Sequence, residues 1–97
     1  MVVAKNESLS LYDESLMEEW LAIVGMRFFA EQYYELKFGR GDFSAYSEKS
    51  ARNRMIAAEA IFKNGYHLAA LKKIATSKSL PASVAELADA TYIIETR

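Results

Sequence analysis

The sequence predicts an all-α protein: a small bundle of about four helices with short loops, forming one domain over residues 1–97. Apolar residues recur at spacings of three and four through most of the chain, which is typical of helices with one buried face. Strand-like alternation never lasts beyond a few residues. The chain has four Gly and a single Pro, so few turns are expected. A composition of 52% hydrophobic and 26% charged residues suits one globular core.

The first predicted helix begins after residues 1–12, which we expect to form a flexible arm. Asp13 is a favourable N-cap, and the pattern predicts a helix that continues to Phe38 and stops at Gly39. The apolar residues change sides after Gly25. Either the helix kinks near Gly25 or it is buried on two sides, and burial on two sides would favour a second subunit.

A turn is predicted over residues 39–44, which include the tripeptide Arg40-Gly41-Asp42. This tripeptide also occurs in integrin ligands, but such a short motif matches often by chance. We interpret the tripeptide as part of the turn, because glycine permits a positive φ and Asp caps a turn.

The second predicted helix begins near Ser47 and ends at Asn64-Gly65, a typical C-terminal stop. Acidic and basic residues four apart predict two ion pairs on its outer face, Glu48 with Arg52 and Glu59 with Lys63. The residues predicted to form its buried seam are Ala51, Met55, Ala58 and Phe62, with Ile61 beside them.

The third and fourth predicted helices occupy the C-terminal part of the chain. The third runs from about Tyr66 to Ser77 and buries Leu68, Leu71, Ile74 and Ala75, with Lys72 and Lys73 facing out. The break before the fourth helix falls at Leu80-Pro81, and Ser83-Val-Ala-Glu86 matches a capping box that would open it. The face predicted to be buried consists of Val84, Leu87, Thr91 and Ile94.

Charge is divided unevenly along the chain, although the net charge is only −1. Residues 7–35 carry seven acids and one base, whereas residues 49–78 carry seven bases and one acid. Two interpretations stay open: the two segments attract each other within the fold, or the basic segment binds an anionic partner.

Several classes of function are disfavoured by what the sequence contains. The chain has no Cys and no apolar run of membrane-spanning length, and residues 1–15 do not resemble a signal peptide. We therefore expect a soluble protein of the cytoplasm (or of the virion, if a phage encodes it) without contact to a membrane. The one histidine, His67, lies on an apolar face and is interpreted as structural. We expect no enzyme activity, no cofactor, no metal and no small-molecule substrate.

A dense group of aromatic residues lies between Phe28 and Tyr46: Phe28, Phe29, Tyr33, Tyr34, Phe38, Phe43 and Tyr46. Two interpretations stay open: these residues form the core and the wall of the turn, or they form a binding hot spot, which such a concentration of Tyr, Phe and Arg would suit. The leading hypothesis is therefore a helical interaction protein that docks on a larger protein or forms a homo-oligomer. The predicted contact residues are Trp20, Phe29, Tyr33, Tyr34 and Phe38.

The segment Tyr46-Ser47-Glu48-Lys49-Ser50-Ala51-Arg52 resembles the helix-turn-helix of phage small terminase subunits, and Phe28 to Tyr34 resembles the helix before it. This resemblance implies a phage or mobile-element accessory protein in which Ser47, Lys49, Ser50 and Arg52 face DNA. The alternative hypothesis is thus nucleic-acid binding, which weakens steeply with salt. Its predicted contact residues are Lys49, Arg52, Arg54, Lys63, Lys72 and Lys73.

Two further interpretations have weaker support. Ala58, Asn64-Gly65, Ala70 and Ile74 resemble positions of a tetratricopeptide-type hairpin, which implies an antiparallel helix pair. The acidic segment Asp13 to Glu35 could also belong to an inhibitor that mimics nucleic acid.

Overall fold

The computed structural model describes residues 13–97, which form helices and contain no β-strand. The predicted all-α class is therefore confirmed for this part of the chain. The arm expected at residues 1–12 lies outside the described residues. The helices are α1 (Glu14–Val24), α2 (Met26–Glu31), α3 (Tyr33–Lys37), α4 (Glu48–Lys63), α5 (His67–Ala75) and α6 (Ala82–Glu95).

The prediction of one helix from Asp13 to Phe38 is wrong, because this segment is broken twice. Gly25 ends α1 with φ 95° and ψ 125°, a conformation that residues with a Cβ rarely adopt. A second, milder break occurs at Gln32, where φ is −107° and ψ is 17°. The predicted alternative of a kink near Gly25 is confirmed.

The break at Gly25 explains why the apolar residues change sides. Because the chain turns there, the apolar residues before and after the break face one common core. The buried residues are Met17, Leu21 and Val24 in α1, Phe29 and Ala30 in α2, and Tyr33 and Leu36 in α3. The two apolar faces therefore do not require a second subunit.

Three predicted helix ends are confirmed by their capping geometry. The Asp13 carboxylate accepts a hydrogen bond of 3.0 Å from the Leu16 N–H at the start of α1. The Ser47 hydroxyl accepts one of 3.2 Å from the Ser50 N–H at the start of α4. Gly65 follows α4 with φ 75°, as expected for a helix stop.

The start of α6 differs from the prediction. Its N-cap is Pro81 and it has no side-chain capping bond, so the predicted capping box at Ser83-Val-Ala-Glu86 is wrong. Pro81 holds φ at −56°, which prepares the chain to enter a helix at Ala82. Ser83 consequently lies inside the first turn rather than before it.

The buried faces of α4 and α6 are rotated relative to the predicted ones. In α6 Val84 and Thr91 are buried as predicted, but Ala88 is buried in place of Leu87 and Ile94, which are exposed. A small residue at this contact lets α6 approach α5 closely, whereas Leu87 and Ile94 lie to the side. The buried face of α4 is likewise rotated and consists of Ala57, Ala58 and Ile61. Met55, which was predicted to be buried, is therefore exposed.

The helices form two pairs joined by α2 and α3. In one pair α1 runs antiparallel to α4, since Arg54 reaches the C-terminus of α1 and Tyr66, just after α4, packs on Trp20 in α1. In the other pair α5 packs along α6, while α2 packs against both α5 and α6 and α3 packs against α4. Leu71 and Ile74 of α5 are buried as predicted.

The centre of the core is aromatic. Phe29 packs edge-on against Tyr33, with their ring centroids 5.7 Å apart, and stacks on Phe62 at 5.5 Å. Aromatic pairs at such distances add to the stability gained from burial alone. Within residues 13–97, no helix is both long and apolar enough to span a bilayer.

Candidate protein-docking surfaces

The predicted contact residues fall into three different environments. Phe29 and Tyr33 are core residues with 0% and 2% of their surface exposed, so neither is available to a partner in this fold. Tyr34 and Phe38 lie on the surface. Trp20 is half-buried beside α4. The spacing of Phe29, Tyr33 and Leu36 at intervals of four and three residues already favours Tyr33 over Tyr34 for the buried face.

Tyr34, Lys37, Phe38 and Arg40 form a surface that we call the aromatic corner. Phe38 is 61% exposed at the end of α3. The Lys37 ammonium and the Arg40 guanidinium lie 5.9 Å and 5.5 Å from the centre of the Phe38 ring. Lys37 also lies 6.0 Å from the centre of the Tyr34 ring. These distances suit cation–π attraction, which holds the exposed rings in place.

Glu95 attaches the aromatic corner to the last turn of α6. Its carboxylate accepts hydrogen bonds of 2.7 Å from Lys37 Nζ and 2.8 Å from the Tyr33 hydroxyl, with the Tyr34 hydroxyl at 3.5 Å. The hydrogen bond from Lys37 lowers the pKa of Glu95 below its ordinary value, although burial opposes this shift. Burial, followed by the nearby Glu95 carboxylate, raises the pKa of Tyr33, which therefore stays a hydrogen-bond donor.

A groove of about 280 Å³ lies between α1 and α4, and we call it the α1–α4 groove. It is lined by Trp20, Ile23, Asn53, Ile56 and Ala57. Ile56 is 57% exposed and Ile23 is 41% exposed, so apolar surface on both sides of the groove is in contact with water. The groove could not be predicted from the sequence, because the only available signal was Ile56, whose neighbours on the helix surface include Arg52, Asn53 and Glu59.

The six cations predicted to bind nucleic acid do not form one surface. Lys49, Arg52 and Lys63 are exposed on α4, whereas Lys72 and Lys73 line a pocket on the other flank of α1. Lys73 Nζ donates a hydrogen bond of 2.6 Å to Glu18. This bond lowers the pKa of Glu18 and shows that part of the basic segment does pair with the acidic one.

Arg54 has a structural role. Its Nη1 donates hydrogen bonds of 3.0 Å and 2.9 Å to the carbonyls of Ile23 and Val24, at the C-terminus of α1. Its guanidinium also lies 4.0 Å from the centre of the Tyr46 ring. A cation at this place stabilises the negative end of the helix dipole. Arg54 is therefore less accessible to a nucleic acid than the sequence analysis supposed.

The two ion pairs predicted along α4 are wrong. Among the ion pairs within residues 13–97, none joins Glu48 to Arg52 or Glu59 to Lys63. The cationic side chains Arg52 and Lys63 are exposed and extend from α4 into solvent.

The tripeptide Arg40-Gly41-Asp42 takes part in the turn, as predicted. Arg40 pairs with Glu35 at 3.1 Å, and the Asp42 carboxylate accepts hydrogen bonds from the N–H and the hydroxyl of Ser44. A Cβ on Gly41 would lie 2.6 Å from the Phe43 ring and 2.7 Å from Leu36. Gly41 is therefore needed for close packing of the turn on the core.

His67 is packed against an aromatic ring. It stacks on Phe62 with ring centroids 5.3 Å apart, and its buried Nδ1 has no hydrogen-bond partner in the described part of the protein. Burial lowers the pKa of His67, so the imidazole is neutral at pH 7. Between residues 13 and 97, no group of three or more His, Cys, Asp and Glu side chains is arranged to hold a metal ion.

Comparisons of this chain with protein-family models, with curated proteins and with solved structures find no match. The aromatic corner and the α1–α4 groove are therefore interpreted from their own chemistry.

Proposed function

We propose that the protein is a small, non-enzymatic helical interaction protein, which binds a larger protein or further copies of itself. The observation that carries this proposal is the aromatic corner. Within residues 13–97, Phe38 is the most exposed large hydrophobic side chain, and Tyr34, Lys37 and Arg40 surround it. Tyr, Phe and Arg are enriched in protein interfaces, and Tyr and Arg also among the residues that contribute most to binding.

The aromatic corner is also held in a fixed arrangement before any partner binds. Lys37 is attached to Glu95 by an ion pair of 2.7 Å, and Arg40 to Glu35 by one of 3.1 Å. Binding therefore immobilises fewer free side chains than it would on an unsupported surface, which lowers the entropic cost of association. A phage or mobile-element accessory or assembly factor is the narrower form of the proposal. It rests on the resemblance of residues 46–52 to small terminase subunits.

Site-specific photo-crosslinking in the cells that naturally make the protein tests this proposal. A benzophenone amino acid is placed at Phe38, and in a matched control at Glu86, an exposed residue of α6. We expect a discrete adduct with a protein from Phe38 and none from Glu86. The same adduct should weaken in a Tyr34→Ser background. Equal labelling from both positions, or no adduct from Phe38, would contradict a docking role for the aromatic corner, the observation on which this proposal rests.

Nucleic-acid binding is the second candidate function. It is supported by the exposed cations of α4, since Lys49 and Arg52 lie in its first two turns, where the terminase resemblance expects DNA contacts. Fluorescence anisotropy with labelled duplex and single-stranded DNA at about 50 and 200 mM salt is the test. Binding that falls steeply with salt and is lost in Lys49→Ala/Arg52→Ala would support it. Binding that is equally lost in the control Lys78→Ala/Arg97→Ala, two exposed cations outside the predicted contacts, would not.

The acidic-helix inhibitor has less support. Several of its acids are engaged by cations of the same chain, since Glu31 pairs with Arg27 and Glu35 with Arg40. An inhibitor that mimics nucleic acid would need these carboxylates free to face a basic partner.

A further inference from the structure

The α1–α4 groove has exposed apolar surface, and residues of opposite charge lie on the two helices that border it. Glu19 lies on α1 next to Trp20, and Lys63 lies on α4 less than one turn before Tyr66. Trp20 and Tyr66 are in contact, with ring centroids 5.8 Å apart, so we infer that Glu19 and Lys63 lie beside the groove at a similar height. Both are exposed, and neither forms an ion pair within residues 13–97.

This arrangement is complementary to itself. A two-fold axis parallel to α1 and α4 places α1 of one copy over α4 of a second copy, while each residue keeps its height along the groove. Glu19 then faces Lys63 of the second copy, and Ile23 approaches Ile56 of the second copy. An interface of this kind forms every contact twice, and α1 and α4 run antiparallel as in many helical bundles.

We propose that the α1–α4 groove binds a second copy of this chain, so that two copies form a symmetric dimer. This inference rests on the proposed interaction function and adds the partner and the surface. It uses a different surface from the aromatic corner, which stays open for a larger protein.

The size of the two-helix face suits a weak, transient dimer. The 16 residues of α4 extend over ~24 Å and the 11 residues of α1 over ~16 Å, each with a width of about 10 Å. The face therefore measures roughly 400 Å² per copy, or roughly 800 Å² for the pair, from these helix dimensions. Interfaces of this size occur in weak, transient complexes. The exposed outer face of α6 is only one helix wide and is smaller still.

Sedimentation equilibrium from about 1 µM to 1 mM, the range of weak protein association, measures the dimer directly. Trp20 provides a second reading, because it is the only tryptophan of the chain and lies in the groove. We expect its emission to shift to shorter wavelength as the concentration rises and the second copy excludes water. Wild-type protein that stays monomeric up to 1 mM would overturn the proposal.

Charge reversal identifies the contact. Glu19→Lys and Lys63→Glu should each weaken the dimer by about tenfold or more, because like charges then meet twice across the axis. The double variant restores opposite charges and should recover most of the affinity. A double variant no better than the single ones would count against the Glu19–Lys63 contact and so against this interface.

Ile56→Glu and a matched variant, Ile94→Glu, distinguish a dimer interface at the groove from one elsewhere on the surface. The two isoleucines are 57% and 53% exposed, so both variants should keep the fold, which circular dichroism checks. Ile56→Glu should abolish the dimer and Ile94→Glu should leave it intact; the reverse pattern would place the interface on α6. Crosslinking at Phe38 is independent of these measurements, so a failure of the dimer leaves the proposed function to its own test.

Discussion

Lys37 and Glu95 form an ion pair of 2.7 Å that connects α3 to the last turn of α6. Glu95 also accepts a hydrogen bond from the buried Tyr33 hydroxyl, so one carboxylate binds both a core residue and a residue of the aromatic corner. The position of Phe38 and Arg40 on the surface depends on this connection, because Phe38 follows Lys37 directly and Arg40 lies three residues after it.

Replacement of Glu95 by Gln should destabilise the protein and reduce its sensitivity to acid. The pKa of Glu95 is lowered in the folded state, so the stabilisation is complete above its ordinary value of 4.5 and is lost as the pH falls through the folded value. We expect a loss of about 1–2 kcal/mol at pH 7, typical of a hydrogen bond to a charged group. Urea unfolding at pH 7 and pH 3 measures both effects. Glu86→Gln, on the exposed side of α6, should change neither.

Arg54→Ala should destabilise the fold by about 2–3 kcal/mol, because it leaves the last carbonyls of α1 without their donor and removes a cation–π contact. Thermal unfolding compares it with Arg52→Ala, a matched change on the exposed face of the same helix, which we expect to cost less than about 0.5 kcal/mol. Similar losses for the two variants would argue against a capping role for Arg54.

Gly25→Ala should cost about 1–3 kcal/mol through backbone strain. A Cβ at this position would meet only ordinary contacts, the nearest being Arg54 Nη1 at 3.7 Å, so the cost arises from φ 95° rather than from a clash. Urea denaturation measures the change, with Ala22→Ser on the exposed side of α1 as the control. A Gly25→Ala variant as stable as wild type would mean that α1 and α2 can join without this break.

Protein stability should decrease as the pH falls through the ordinary pKa of histidine, about 6.5. The pKa of His67 is lowered in the folded state, so below that pH the unfolded chain binds a proton that the folded protein does not. His67→Gln should remove the decrease between pH 7 and pH 5. The chain has a single histidine, so a transition that persists in the variant would contradict this assignment.

Features controlled by neighbouring residues could be predicted from the sequence. Asp13, Ser47 and Gly65 mark helix ends through bonds that span a few residues, and all three were predicted. Ser83 failed as a cap because Pro81, two residues before it, set the helix start earlier. Local patterns therefore predict the presence of a helix more reliably than the residue at which it begins.

The candidate surfaces depended on contacts between residues distant in sequence. Glu95 lies 58 residues from Lys37 and 62 from Tyr33, and no local pattern relates these positions. Arg54 looked like any other cation of α4 until the fold brought it to the C-terminus of α1. The burial of Ala88 instead of Leu87 likewise depends on how closely α5 approaches, which hydrophobicity alone does not indicate.

The connection between α3 and α6 also has a consequence for protein synthesis. The ribosome makes Tyr33 and Lys37 long before it makes Glu95, so during translation their hydrogen-bond acceptor does not yet exist. The contacts of α2 with α6 likewise cannot form until α6 has been made. Until then the aromatic segment of α2 and α3 lacks part of its native cover, and apolar surface exposed in this way makes incompletely folded chains prone to aggregation.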